Sequence, residues 1–170
     1  MPQLQSGIVE RIIRNLGPDK KLAFEFFVVF SRFEYTLKLT PCRKCNSSAK
    51  ADWDKFAGFL KESHPDKVAE IIETADYLLK YPPQRQICKD NVLDWEIPER
   101  NRSELNNSNI FYVFDYIKIV RNNLFHGGKY PDNARPANPQ RENRLVEVSL
   151  EVLYVCLESD SNIKEIFYGV

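Results

Sequence analysis

The sequence predicts an all-α protein, a bundle of four to five helices that run up and down. Apolar residues recur at spacings of three and four in the long segments, and few stretches alternate as half-buried strands do. Prolines stand at the ends of these periodic segments, where helices commonly begin and stop. With 170 residues, of which 43% are hydrophobic, the chain is expected to fold as one domain spanning residues 1–170.

The first strong helical signal covers residues 19–39. Four of its apolar residues share one face at helical spacing: Phe26, Phe30, Phe33 and Leu37. Pro18 suits the first turn of this helix, and Pro41 ends it. Apolar residues on its flanks predict a central helix that is buried on more than one side.

The middle of the chain predicts two further helices after a loop at residues 40–50. Residues 51–63, ADWDKFAGFLKES, have the apolar spacing of a short amphipathic helix. Residues 64–83 have that of a longer helix, which begins near Pro65. Residues 84–107 are polar and irregular, so no regular element is expected there.

The C-terminal part predicts two more helices. One covers residues 109–125, behind asparagines that can cap it, and the other covers residues 142–158. A loop rich in proline and asparagine, residues 130–141, joins them. A short tail with further apolar residues follows.

Charge and hydropathy restrict the class of protein. The chain has 24 basic and 24 acidic residues, so a nucleic-acid contact would need a local basic patch. Basic residues gather around one segment: Lys118, Arg121, Lys129, Arg135, Arg141 and Arg144. The alternative is a solvated face balanced by acids elsewhere. No apolar window is long enough to cross a bilayer and no secretory signal is evident, so we expect a cytoplasmic protein without membrane contact.

The four cysteines provide little indication of a metal site. Cys42 and Cys45 form a C-x-x-C pair, but no second pair of ligands follows at the spacing of a zinc site. We therefore expect reduced thiols, as in a cytosolic protein, with neither a metal nor a cofactor.

The segment RNNLFHGGK, residues 121–129, holds the main candidates for chemistry. Arg121 falls in the middle of the apolar stripe of the fourth helix. A guanidinium there needs an anionic partner unless it lies at the open end of the bundle. Glu34, at the edge of the apolar stripe of the first helix, could hold Arg121 through two parallel hydrogen bonds. In the simplest case this would be a structural ion pair.

His126 precedes Gly127 and Gly128, so it is expected in the last turn of the helix, where the helix dipole favours imidazolium. Its ring titrates near neutral pH and can give and take protons. Asn122 lies four residues earlier and can orient the ring. Arg121 and His126 are about 140° apart on an ideal helix. Either the helix end distorts at the glycines, or two copies of the chain share the site across a two-fold axis.

An arginine and a histidine suffice for RNA cleavage without a metal. The ribose 2′-hydroxyl would attack the adjacent phosphorus, His126 would transfer protons, and Arg121 would stabilise charge on the phosphoryl oxygens. The chemistry requires the 2′-hydroxyl, so the predicted substrate is RNA and not DNA. Lys118 and Lys129 flank the motif and are expected to contact the substrate. The sequence shows no cluster of carboxylates of the kind that would indicate a catalytic magnesium site.

The spacing R-N-x-x-x-H on the penultimate helix resembles the motif of the HEPN superfamily, the higher eukaryotes and prokaryotes nucleotide-binding domains. Arg121, Asn122 and His126 match the motif. Glu34, in FSRFEYTLK, fits the acidic or polar residue that the first helix often contributes in that superfamily. The stretches FFVVFSRFEYTLK and RNNLFHGGK together are similar to a branch of small, plasmid- or defence-associated HEPN proteins.

The resemblance implies a helical bundle of HEPN type, a homodimer and a metal-independent endoribonuclease. The catalytic residues it implies are Arg121, Asn122, His126 and Glu34. Many such proteins are toxins of toxin–antitoxin or phage-defence systems, often beside an antitoxin of nucleotidyltransferase type. RNA, a second copy of the chain and such an antitoxin are therefore the expected partners.

Three functions stay open from the sequence. The first is the RNA-cleaving enzyme. The second is a non-catalytic HEPN module that binds a nucleotide or RNA. The third is a dimerisation domain in which Arg121 and Glu34 are only a core pair. Replacement of His126 by alanine separates them, because it should abolish cleavage in the first case, weaken binding in the second and do little in the third.

Overall fold

The computed structural model describes residues 17–45, 48–99, 109–125 and 138–170, together with Gly7 and Glu10. Within that part of the chain it contains seven helices and two small antiparallel sheets. The predicted helical character is confirmed, but the fold is not a plain bundle of four to five helices, because two hairpins are inserted between the helices. None of the described helices has the length and apolar content that a bilayer crossing needs.

Helix α1, Lys20–Lys38, confirms the first predicted helix. Asp19 caps it, because its carboxylate accepts hydrogen bonds from the backbone N–H groups of Lys21 and Leu22. Pro18 therefore precedes the cap and does not stand in the first turn as predicted. One face of α1 is buried: Ala23, Phe26, Val29, Phe30, Phe33, Thr36 and Leu37. The opposite face is open to solvent, so the prediction that this helix is buried on more than one side is wrong.

A short hairpin follows α1, where the sequence predicts a loop. Its strands are β1, Arg43–Cys45, and β2, Ala49–Ala51, paired antiparallel. The backbone N–H of Asp52 donates to the carbonyl oxygen of Cys42 at 2.9 Å and closes the open end. Each strand has three residues, which is too few to show the alternation that identifies a strand in a sequence.

Three short helices come next. Helix α2, Trp53–Ser63, confirms the predicted short helix. The longer predicted helix is divided into α3, Pro65–Thr74, and α4, Asp76–Lys80. The hydroxyl of Thr74 donates to the carbonyl oxygen of Glu70 at 2.8 Å. Such a bond back to the preceding turn commonly bends a helix.

A second hairpin occupies part of residues 84–107, so the expectation of no regular element there is wrong. Its strands are β3, Arg85–Lys89, and β4, Val92–Glu96. Asp90 and Asn91 join them with φ angles of 51° and 61°, which suit a tight hairpin turn. Most residues of both strands are exposed, so neither face carries the apolar alternation of a strand packed on a core.

Three C-terminal helices complete the described fold. Helix α5, Asn109–Phe125, has the predicted bounds. Helix α6, Pro139–Leu157, begins slightly earlier than predicted, behind a cap by Asn138. The apolar tail forms helix α7, Ser161–Tyr168, which Asp160 caps through the backbone N–H of its first turn.

The buried core lies between α1, α5 and α6, with α2 and α3 packed against them. Trp53, at the start of α2, lies inside an aromatic cluster. Its ring centroid is 5.6 Å from that of Phe30 and 5.5 Å from that of Phe33, both on α1. It is also 5.4 Å from that of Phe114 on α5. This cluster fixes the beginning of α2 against the two helices that carry the predicted site.

Candidate functional site

Helices α1 and α5 meet along a seam that contains three of the predicted site residues, Glu34, Lys118 and Arg121. At one end of this seam, the ring of Phe27 lies 5.2 Å from that of Phe125. One turn further along α1, the guanidinium of Arg121 lies over the ring of Phe30. Residue numbers rise along α1 while they fall along α5, so the helices are antiparallel here. We call these four residues the aromatic end of the α1–α5 seam.

Arg121 is partly buried between two aromatic rings. Its Cζ atom is 5.7 Å from the ring centroid of Phe30 and 5.9 Å from that of Phe125, which are cation–π distances. Its Nη1 donates to the Oδ1 of Asn122 at 3.0 Å. Within the described segments no carboxylate pairs with Arg121. Most of the five N–H donors of the guanidinium therefore have no protein acceptor in that part of the chain.

The two asparagines after Arg121 have different roles. Asn122 is exposed, and its amide oxygen holds the guanidinium. Asn123 is buried, and its Nδ2 donates to the carbonyl oxygen of Gln84 at 2.6 Å. This bond ties the end of α5 to the segment before β3. It fixes the rotation of α5, so that Arg121 and Asn122 lie on the open side.

Glu34 lies one turn beyond Phe30 on α1, away from the aromatic end. It makes no ion pair with Arg121 in the described part of the chain, so the predicted bidentate pair is wrong. The guanidinium is held instead by Asn122 and by the aromatic rings. The hypothesis that Arg121 and Glu34 are only a core pair loses its structural basis.

Glu34 instead lines a cavity of about 280 Å³ together with Lys118 of α5. The other lining residues come from the end of α1, the first hairpin and the first turn of α2: Lys38, Lys44, Lys50, Ala51, Trp53 and Asp54. We call this the lysine cavity, and it forms the charged end of the seam. Lys118 pairs with Asp115 at 2.7 Å on its own helix.

Asp52 connects the first hairpin to α2 beside this cavity. Its carboxylate caps α2 by accepting from the backbone N–H of Lys55 at 3.1 Å, and it pairs with Lys44 at 3.2 Å. Burial alone would raise the pKa of Asp52. The hydrogen bonds from Lys55 and Lys44 outweigh that effect and hold the pKa below its usual range. The ionised Asp52 carboxylate therefore holds Lys44 and the start of α2 in place beside the lysine cavity.

Comparisons with protein-family models, curated proteins and solved structures found no match to this chain. The function is therefore argued from the geometry of the seam and from the sequence motif.

Three of the predicted residues lie outside the described residues: His126, Lys129 and Arg135. The position of His126 relative to Arg121 therefore stays a prediction. Phe125 is the last described residue of α5 and directly precedes His126 in the sequence. Its ring lies at the aromatic end of the seam.

The predicted basic cluster is divided in the structure. Lys118 and Arg121 lie on the seam. Arg141 donates to the carbonyl oxygen of Pro82 at 2.9 Å, and Arg144 contacts carboxylates of its own helix. The positive charge beside the seam comes instead from lysines of α1 and the first hairpin, which the sequence pattern did not single out.

The cysteines form no metal site in the described segments, where no group of three His, Cys, Asp or Glu side chains could hold an ion. Cys42 is buried and Cys45 is exposed. Burial raises the pKa of the Cys42 thiol, and a hydrogen bond with Thr40 offsets only part of this rise. The thiol is therefore protonated at neutral pH and is a poor nucleophile.

Proposed function

We propose that the protein is an endoribonuclease that cleaves RNA without a metal ion, at a site shared by two copies of the chain. The observation that carries the proposal is the state of Arg121. Its guanidinium is partly exposed, held between two aromatic rings, and has unused donors five residues before His126. A fixed guanidinium of this kind is suited to a phosphoryl group.

In the proposed reaction the ribose 2′-oxygen bonds to the adjacent phosphorus, and the bond from phosphorus to the 5′-oxygen breaks. His126 either takes the proton of the 2′-hydroxyl while water protonates the leaving 5′-oxygen, or protonates the 5′-oxygen while water accepts the proton of the 2′-hydroxyl. Arg121 donates to the phosphoryl oxygens, whose negative charge grows in the transition state. The products are a 2′,3′-cyclic phosphate and a free 5′-hydroxyl.

Asn122, Glu34 and two lysines complete the proposed site. Asn122 orients Arg121, and its amide nitrogen can donate to substrate or to His126. Glu34 lies one turn along the seam, where its carboxylate can accept from a ribose hydroxyl. The backbone of the RNA is expected to contact Lys118 and Lys129 on either side of the reacting bond.

The exposed face of α1 supports the second copy. Four large apolar side chains there are between 46% and 67% exposed: Phe24, Phe27, Val28 and Tyr35. They recur at helical spacing on the side opposite the core. An apolar face of this kind commonly marks a contact with another protein. Because Phe27 touches Phe125, a second copy on this face would approach the aromatic end of the seam, next to Arg121.

The resemblance to HEPN proteins extends the proposal to a biological role. The enzyme would act as the toxin of a toxin–antitoxin or phage-defence system. Its antitoxin would be of nucleotidyltransferase type.

Incubation of the purified protein with total RNA in the presence of EDTA tests the proposal. The wild type should release fragments that end in 2′,3′-cyclic phosphate. His126→Ala and Arg121→Ala should release fragments at least about a hundredfold more slowly, while circular dichroism and elution volume stay unchanged. Intact RNA with the wild type over a wide range of protein concentration contradicts the proposal.

A non-catalytic RNA-binding module is the second candidate, and the lysine cavity favours it. A group of lysines can hold an RNA backbone without any contribution from His126. In that case the wild type binds RNA and releases no fragments, and His126→Ala only weakens binding.

A further inference from the structure

Two of the lysines that line the lysine cavity lie opposite each other on the first hairpin. Lys44 and Lys50 are direct partners in the register of the first hairpin. Like charges opposite one another destabilise a pair of strands, and each of these strands has only three residues. Asp52 relieves the repulsion from one side by pairing with Lys44. An anion bound beside the hairpin would attract both lysines and would offset the remaining repulsion between them.

Further unused hydrogen-bond donors belong to residues that line the same cavity. Lys38 and Lys50 have no ion-pair partner within the described segments. The indole of Trp53, which is 5% exposed, has a buried Nε1 without a hydrogen-bond partner. A buried N–H without an acceptor is unusual in folded proteins.

We propose that the lysine cavity is a subsite for one backbone phosphodiester of single-stranded RNA, next to the bond that Arg121 holds. This subsite rests on the proposed function, because it takes RNA as its ligand. Lys118 and Arg121 are three residues apart on α5, roughly 4.5 Å along the axis. A strand that follows the seam therefore brings one phosphate to Arg121 and a neighbouring one to the lysines.

The charges of the cavity fit a single diester better than a polyphosphate. Two of its four lysines are already paired, with Asp52 and Asp115, and Glu34 and Asp54 line the same wall. The cavity therefore has no large excess of positive charge with which to bind a triphosphate. One diester carries a single negative charge, which the two lysines without an ion-pair partner in the described segments, Lys38 and Lys50, are enough to balance. The substrate specificity would thus be for a chain of nucleotides and not for a free nucleoside triphosphate.

Binding of an uncleavable RNA tests the subsite separately from cleavage. The probe is a fluorescein-labelled 2′-O-methyl RNA of roughly ten nucleotides, a length that spans the seam. The double variant Lys38→Gln/Lys50→Gln removes two cations that have no carboxylate partner in the described part of the chain. It should bind the probe about tenfold more weakly and lower the slope of log K against log salt by about 0.7, the value for one phosphate contact. Lys89→Gln, an exposed lysine on the second hairpin, is the matched control and should bind like the wild type.

Fluorescence of Trp53 provides a second readout. The chain has two tryptophans, so Trp95→Phe leaves Trp53 as the reporter. Probe binding should shift Trp53 emission, and the shift should disappear in the double lysine variant. Adenosine monophosphate should compete with the probe only weakly.

The outcomes separate the subsite from the enzyme. A wild type that binds through these lysines but never cuts RNA supports the subsite and contradicts the nuclease. A wild type that cuts RNA while the double variant binds like Lys89→Gln contradicts the subsite alone. Strong competition by adenosine monophosphate, lost in the double variant, would make the cavity a mononucleotide pocket and overturn the proposal.

Discussion

The two ends of the α1–α5 seam differ in chemistry although the same two helices build them. At the aromatic end, Phe27, Phe30 and Phe125 surround one guanidinium that has no carboxylate partner among the described residues. At the charged end, lysines and carboxylates line a small cavity. One turn of helix separates the two environments. An isolated, oriented cation is suited to a transition state, whereas a mixed cluster of charges is suited to ground-state binding.

The difference follows from what packs beside each end. At the charged end, the first hairpin and the start of α2 lie against α1, and they bring Lys44, Lys50 and Asp54 to the seam. At the aromatic end, the exposed face of α1 is left open beside Phe27. We therefore expect substitutions at the aromatic end to change turnover and assembly, and those at the charged end to change binding and local stability.

Loss of the isolated cation has the largest expected effect. Arg121→Ala should lower kcat for RNA cleavage by about 10²- to 10³-fold, because it removes donors that act on the transition state. The rate is measured with a short fluorogenic RNA under single-turnover conditions. Arg144→Ala, at a surface cluster on α6, is the control and should retain activity. Equal loss of activity in both variants would show that Arg121 has no special role.

A charge on the exposed face of α1 is the next largest perturbation. Phe27→Glu should weaken self-association roughly tenfold or more, because a carboxylate would be buried in an apolar contact. Analytical ultracentrifugation over a range of concentrations measures this effect. Val92→Glu, at an exposed apolar position on the second hairpin, is the matched control. A wild type that stays monomeric at all concentrations rules out the shared site.

Loss of one lysine at the charged end should have a smaller effect of a different kind. Lys118→Gln should raise KM roughly fivefold with little change in kcat, because it removes a contact made equally in the ground state and the transition state. Steady-state kinetics with the same RNA separates the two parameters. A fall in kcat at unchanged KM would instead place Lys118 in the chemical step.

The cap at the lysine cavity gives the smallest effect. Asp52→Ala should lower the free energy of unfolding by about 1 kcal/mol at neutral pH, because it removes the cap of α2. The folded-state pKa of Asp52 is lowered, so its contribution is present above the unfolded pKa of about 3.9 and is lost as pH falls through the folded value. Urea denaturation at several pH values should show the two proteins converging in acid. A constant difference down to pH 2 would show that the ionised carboxylate is not the cause.

Much of the fold follows from helical periodicity, which predicts α1, α2, α5 and α6 closely. Periodicity does not predict the segments in which few side chains are buried. The second hairpin is exposed on most of both strands, so its only signal is the Asp90–Asn91 pair at the turn. The first hairpin is too short to alternate. The break between α3 and α4 falls at Ala75, inside a continuous run of apolar spacing, so apolar spacing does not reveal it.

The site is predictable from the sequence only in part. Helical spacing puts Arg121 in the middle of the apolar stripe of α5, whereas in the structure Arg121 is only partly buried and lies over the ring of Phe30 on α1. It puts Glu34 at the edge of the apolar stripe of α1, where Glu34 is partly buried. Helical spacing does not give the offset of one turn between Arg121 and Glu34 along the seam. This offset depends on how far α1 and α5 are shifted along each other. Lys44 and Lys50 lie beside the seam because the first hairpin brings them there. In the sequence they are far from residues 121–129, so the motif gives no indication of them.

The most direct test of the shared site is to mix two inactive variants. Arg121→Ala and His126→Ala subunits are combined in equal amounts, exchanged, and assayed for RNA cleavage in EDTA. If each site takes its arginine and histidine from different copies, the mixed dimer regains one intact site, and the mixture should recover about a quarter of wild-type activity. No recovery, in a mixture shown to contain mixed dimers, would contradict a site built by two copies.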